Sequence, residues 1–107
     1  MTRGEIYRIR LPARRGHEQA GPRYGVIVQA DELLGLSTAI VAPTSRRAAP
    51  ATFRPAIELA GETTRILVEQ LRAVDVERLG PVAGRLSAPE QRAVDDALAL
   101  VLDLSWA

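Results

Sequence analysis

The chain has 107 residues, 47% of them hydrophobic and 25% charged, with no cysteine and one histidine. That length suits one small domain; the cysteine count excludes disulfides and thiolate metal sites, and a lone histidine argues against zinc. The net charge of +1 hides an asymmetry, because residues 1–54 hold nine arginines against four acids and residues 55–107 hold five against nine. A locally basic face is what phosphate binding requires. No apolar run reaches the roughly 18–20 residues of a membrane helix, and the N-terminus lacks a signal-peptide layout. The reading is a cytoplasmic protein without metal or cofactor, small enough to gain stability from association.

The first predicted element is Glu5–Leu11. Tyr7, Ile9 and Leu11 alternate with Arg8 and Arg10, the pattern of a half-buried strand, and Pro12 ends it. A loop follows from Ala13 to Pro22, carrying Gly16-His17-Glu18-Gln19-Ala20-Gly21. Glycines there permit a backbone that presents polar side chains, and side chains presented on loops serve binding or chemistry. Tyr24–Gln29 is an apolar strand, Asp31–Leu36 a short connection with one helical turn, and Ser37–Pro43 a third strand. Thr44–Thr52 reads as an open loop. Phe53–Leu59 and Arg65–Val74 read as two more strands, joined across Gly61-Glu62. Asp75–Leu79 predicts one helical turn before Gly80-Pro81. Near the C-terminus the period changes. Ser87 with Glu90 forms a capping box, and Val94, Leu98, Val101 and Leu102 recur at helical spacing opposite Arg92, Asp95, Asp96 and Asp103. Short strands closed by one terminal helix predict a mainly β fold, a small SH3-like antiparallel barrel, as a single domain over residues 1–107.

Several segments carry a resemblance. Arg3-Gly4-Glu5-Ile6-Tyr7, Gly16-x-Glu18-Gln19-x-Gly21-x-Arg23, Gly25-Val26-Ile27-Val28, Val41-Ala42-Pro43-Thr44-Ser45 and Glu69-Gln70-x-Arg72-x-Val74-Asp75-x-x-Arg78-Leu79 stand in this order along the chain. Together they resemble the MazF/PemK-like (Kid-like) toxin family of type II toxin–antitoxin systems. The resemblance implies an SH3-like barrel, a homodimer, an antitoxin partner and an endoribonuclease that cuts single-stranded RNA to leave 2′,3′-cyclic phosphate and 5′-OH ends. Three positions depart from the family pattern: Tyr24 stands where Pro is usual, Glu69 where Asp is common, and Leu67 where some members have Arg. Arg65, two residues further back, would share a strand face with Glu69, which makes it a candidate substrate-binding residue in place of that arginine.

Attack by a 2′-OH on the adjacent phosphate needs neither metal nor water in its first step. It needs a base, charge stabilisation on the phosphate, and an acid for the leaving 5′-oxygen. Arg23 is the first choice for the phosphate, since a guanidinium stays charged and grips two oxygens. Thr44 is the second, a hydroxyl at a strand end that can bond the same group; Ser45 stands beside it. Glu18 or Glu69 could be the base, and His17, an imidazole presented on the loop, could contact RNA or share in proton transfer. The plainer readings are a helper that orients Arg23 for Glu18 and a buried ion pair with an arginine for Glu69, and the sequence leaves both open. Gln19 could read base edges, and Arg46 and Arg47 could form a basic flap over RNA. Tyr24 is a candidate for base stacking. The rival reading is a non-catalytic binding module for nucleic acid or protein, such as a gyrase-targeting toxin, because a fold does not fix a function.

Overall fold

A computed structural model of the protein describes residues 1–11, Gly16 and residues 21–104. Among them are strands β1 (Glu5–Leu11), β2 (Gly21–Ile27), β3 (Thr38–Ser45), β4 (Ala56–Leu59), β5 (Glu62–Ile66), β6 (Arg72–Asp75) and β7 (Leu79–Arg85), then helix α1 (Ala88–Val101). One-turn 3-10 helices occupy Asp31–Leu33, Val68–Gln70 and Val76–Arg78. The strands pair antiparallel in the order β4-β5-β3-β2-β1-β7, with β6 also on β3. The result is a curled, mainly antiparallel sheet with one C-terminal helix.

The curl is made at β3. One edge of β3 pairs with β5 at Thr44 and Ser45 and with β6 from Thr38 to Val41. Thr44 faces Ile66 while Val41 faces Arg72, so three residues of β3 answer to six of the partner segment. The surplus is taken up by the 3-10 turn at Val68–Gln70, entered as the Leu67 N–H donates to the Pro43 carbonyl at 2.8 Å. The single strand expected over Arg65–Val74 is therefore two short strands with a turn between them. β3 also runs on through Thr44 and Ser45, which the sequence placed in a loop.

Alternation along the strands divides the core between the two faces of the sheet. On one face, Ile6, Val26, Ala42, Ile57, Leu59, Ile66 and Val68 pack beneath Val94 and Ala97 of α1. On the other lie Ile9, Leu11, Ile27, Ala39, Val41 and Val74. Helix α1 starts where the sequence predicts. Ser87 Oγ accepts from the Glu90 N–H at 3.2 Å and Glu90 Oε1 accepts from the Ser87 N–H at 2.8 Å, which satisfies two end donors that would otherwise lack partners. β7 is an edge strand on β1 with two register shifts. Its Pro81 is tolerated because an edge strand has one side free of ladder bonds.

Candidate active site

The face that carries the α1-side core is not covered along its whole length. Arg8 on β1 pairs with Tyr24 on β2, so both share the face of Ile6 and Val26. Tyr24 is half-buried and packs against that core. Beyond it the face opens into a cavity of about 330 Å³, lined by Arg8, Arg23, Tyr24, Thr44, Ser45, Arg46, Leu59, Ala60, Glu62 and Thr64. A second cavity of about 480 Å³ is lined by Arg23, Ser45, Arg46 and Arg47. The two share Arg23, Ser45 and Arg46, so they form one cationic depression at the paired ends of β2 and β3.

Thr44 lies at the floor of this depression and is 4% exposed. Its hydroxyl donates to the Tyr24 carbonyl at 3.2 Å. That bond fixes the rotamer, and a hydroxyl can turn its proton to a better acceptor without moving its oxygen. Ser45 Oγ accepts from the Arg47 N–H at 3.3 Å and so shapes the chain as it leaves β3. Arg46 makes an ion pair with Glu62 across the cavity, both side chains being more than half exposed. Such a pair contributes roughly 0–1 kcal/mol and is readily exchanged for a better anion. The Arg8 guanidinium sits 5.9 Å from the centre of the Tyr24 ring, a cation–π distance.

Arg23, Thr44, Ser45 and Arg46 are thus brought together, with Arg47 beside them. Glu69 and Arg65 line neither cavity. Glu69 sits on the Val68–Gln70 turn, off the strand that was to align it with Arg65. Its Oε2 accepts from Arg54 Nε at 2.8 Å and from a second Arg54 nitrogen at 2.5 Å. Arg65 instead donates to the Arg54 carbonyl at 3.0 Å. His17, Glu18 and Gln19 lie outside the described residues. Sequence reading missed Arg8, Glu62 and Thr64 as cavity residues. The alternation of β1 already put Arg8 on one face, but only the β1–β2 register shows what it faces.

Comparisons with known proteins place the chain in a family. Residues 2–102 match the family described as PemK-like, MazF-like toxin of type II toxin–antitoxin systems. The chain belongs to that family. It is 38% identical over 106 residues to a provisionally named toxin of Mycobacterium tuberculosis, spanning 97% of this chain and 99% of that one. Endoribonuclease MazF9 of the same organism is 37% identical over 117 residues, spanning 97% and 98%. Among solved structures, a mycobacterial endoribonuclease in complex with its cognate antitoxin superposes with a TM-score of 0.85 at 17% identity, covering 100% of this chain and 99% of the other. That structural likeness extends the family's fold to this MazF-like toxin. None of its described helices is long and apolar enough to cross a membrane.

Proposed function

We propose that this MazF-like toxin is an endoribonuclease that cuts single-stranded RNA at a short sequence by 2′-OH attack, leaving 2′,3′-cyclic phosphate and 5′-OH ends. The observation that carries the reading is the meeting of Arg23 with a buried, pre-aligned hydroxyl, Thr44, in a cationic depression. A module that only binds RNA gains from arginines but has no use for a hydroxyl held at the cavity floor.

In this account the scissile phosphate sits against Arg23, whose fork stabilises the charge that grows on the non-bridging oxygens. Thr44 turns its proton from the Tyr24 carbonyl to one of those oxygens. Arg46 exchanges Glu62 for a neighbouring phosphate, Ser45 and Arg47 continue the track, and Tyr24 offers a ring for base stacking. Proton transfer falls to Glu18 and His17 on the segment that leads into Arg23, with Gln19 reading a base edge. No step calls for a metal ion, and the action belongs in the cytoplasm.

Two partners complete the proposal. Leu100, Leu102 and Leu104 are each about half exposed. With Val28, Ile40, Leu71 and Leu98, the last two of these border an apolar groove of about 390 Å³. Surface of this kind supports a homodimer. The arginine-rich depression suits an antitoxin segment that is acidic and apolar, lying where RNA would lie.

The test is incubation of purified protein with a long unstructured RNA in EDTA, followed by end mapping. Discrete cuts with 5′-OH ends are expected. Intact RNA with well-folded protein would move the assignment to a non-catalytic module or a toxin with a protein target such as gyrase.

A further inference from the structure

The segment between β3 and β4 carries Arg46 and Arg47, and the Arg54 side chain ties its far end to Glu69 and to the Ala49 carbonyl. Arg54 donates from Nε and a second nitrogen to Glu69 Oε2 at 2.8 and 2.5 Å, and from its third nitrogen to the Ala49 carbonyl at 3.1 Å. Its own N–H donates to the Ala51 carbonyl at 3.0 Å. Its carbonyl accepts from Arg65 at 3.0 Å, and its guanidinium lies 5.4 Å from the Phe53 ring centre. Both members of the ion pair are only about a quarter exposed (24% and 25%). The free oxygen, Glu69 Oε1, is buried with no hydrogen-bond partner among the described residues.

A proton acceptor must expose an oxygen to its substrate. Here one oxygen is committed twice to Arg54 and the other is sealed from solvent. The same arginine spans the turn: Ala49 lies two residues beyond Arg47, and Glu69 belongs to the 3-10 turn that links β5 and β6. We infer that Arg54 and Glu69 are positioning residues, a clamp that fixes the Arg46–Arg47 segment along the phosphate track, rather than members of the proton-transfer machinery. Arg65 seats the clamp on β5. This inference rests on the ribonuclease reading for its biological meaning, but its prediction concerns binding and can be read without cleavage.

The experiment is RNA affinity against salt, using an oligonucleotide made uncleavable by 2′-deoxy substitution at the cut site. Each lost phosphate contact on a single strand flattens the slope of log K against log salt by roughly 0.7. Arg54→Gln is expected to flatten the slope by one or two such contacts, as Arg46→Ala/Arg47→Ala does. Adding Arg54→Gln to that double variant is expected to change nothing more, because the clamp acts only through the residues it positions. Glu69→Gln is expected to raise KM several-fold while single-turnover cleavage at saturating RNA stays within about threefold of wild type. Thermal unfolding of each variant checks that the fold is retained. An unchanged slope in Arg54→Gln overturns the inference, as does an equal further loss in the Arg46→Ala/Arg47→Ala background. A hundredfold fall in the saturated rate of Glu69→Gln, with KM unchanged, would make Glu69 the base instead. If wild-type protein binds the oligonucleotide but never cleaves RNA, the ribonuclease reading falls while the slope comparison still decides the clamp.

Discussion

Replacing Thr44 with Val removes one hydroxyl and keeps the shape of a side chain that is 4% exposed. The stability cost is the bond to the Tyr24 carbonyl. At 3.2 Å that bond is long, so the loss belongs at the lower end of the usual net value, about 0.5–1 kcal/mol. The added methyl is buried and offsets part of this. For a domain of this size, 1 kcal/mol is a fall in Tm of roughly 4–8 °C. The cost to cleavage is of another order. Removing a preorganised donor aimed at developing charge lowers the rate about 10²–10³-fold, equivalent to about 2.7–4 kcal/mol. The two losses therefore separate by at least a factor of two in free energy. The assay is single-turnover cleavage at saturating RNA beside thermal unfolding of the same preparations, with Thr44→Ser as control. Serine keeps the hydroxyl and should hold the rate within about tenfold of wild type. Cleavage by Thr44→Val within threefold of wild type would refute the role given to this hydroxyl, and a rate lost only in proportion to stability would make Thr44 structural.

Two further outcomes follow from the packing and the charges. Gly25→Ala places a methyl 2.6 Å from Ile9 Cδ1 and 3.4 Å from Ile9 Cγ1; Ile9 is 2% exposed, so the overpacking costs about 1–3 kcal/mol in urea unfolding. Adding Ile9→Val deletes the clashing Cδ1 and should restore stability relative to Gly25→Ala alone; a further loss would contradict the steric account. Burial would raise the Glu5 carboxyl, but hydrogen bonds from Thr2 and Tyr7 outweigh it, with help from the N-terminal charge, and hold it below its ordinary value of 4.5. A lowered carboxylate contributes stability above its unfolded value, and that contribution fades as pH falls through the folded one. Wild type should therefore exceed Glu5→Gln in Tm at pH 7, with the gap closing below about pH 4; a gap that is constant with pH would exclude the carboxylate as its source.

Much of the fold is legible because local chemistry and tertiary demand coincide. In β1 the alternation of Tyr7, Ile9 and Leu11 with Arg8 and Arg10 matches a strand whose two faces meet different surroundings. At α1 the Ser87–Glu90 box states where the helix begins. Where the two diverge, the sequence misleads. Leu79–Arg85 contains Gly80, Pro81 and Gly84, a poor strand by propensity, yet β1 offers it a free edge and it pairs as β7. The apolar run Ile66-Leu67-Val68 reads as uninterrupted strand, but β3 needs its partner to skip three residues and the chain turns there instead. Phe53–Leu59 shortens to Ala56–Leu59, because Arg54 and Pro55 belong to the turn that the Glu69 clamp closes.

The site divides in the same way. Arg23, Thr44, Ser45 and Arg46 each sit beside a strand end or glycine turn visible in the chain, but it is the resemblance of the surrounding motifs to the toxin family that singles out Arg23 and Thr44. Their assembly with Tyr24 depends on the β2–β3 register, which runs Gly25 against Pro43. The union of Arg54 with Glu69 had no local signature: 15 residues separate them, and no period or motif links the two. A single strand over Arg65–Val74 would align Arg65 with Glu69, but the turn at Val68–Gln70 breaks that alignment.

In the proposed reaction Arg23 and Thr44 act together on the phosphate. It is tested most directly by measuring, for wild type and Arg23→Ala on one RNA in EDTA, both the affinity for the uncleavable analogue and the cleavage rate at saturation. The expected saturated rate is lower by at least about a hundredfold, with affinity reduced far less because Arg46 and Arg47 still hold neighbouring phosphates. An Arg23→Ala protein that cuts RNA as fast as wild type would contradict it.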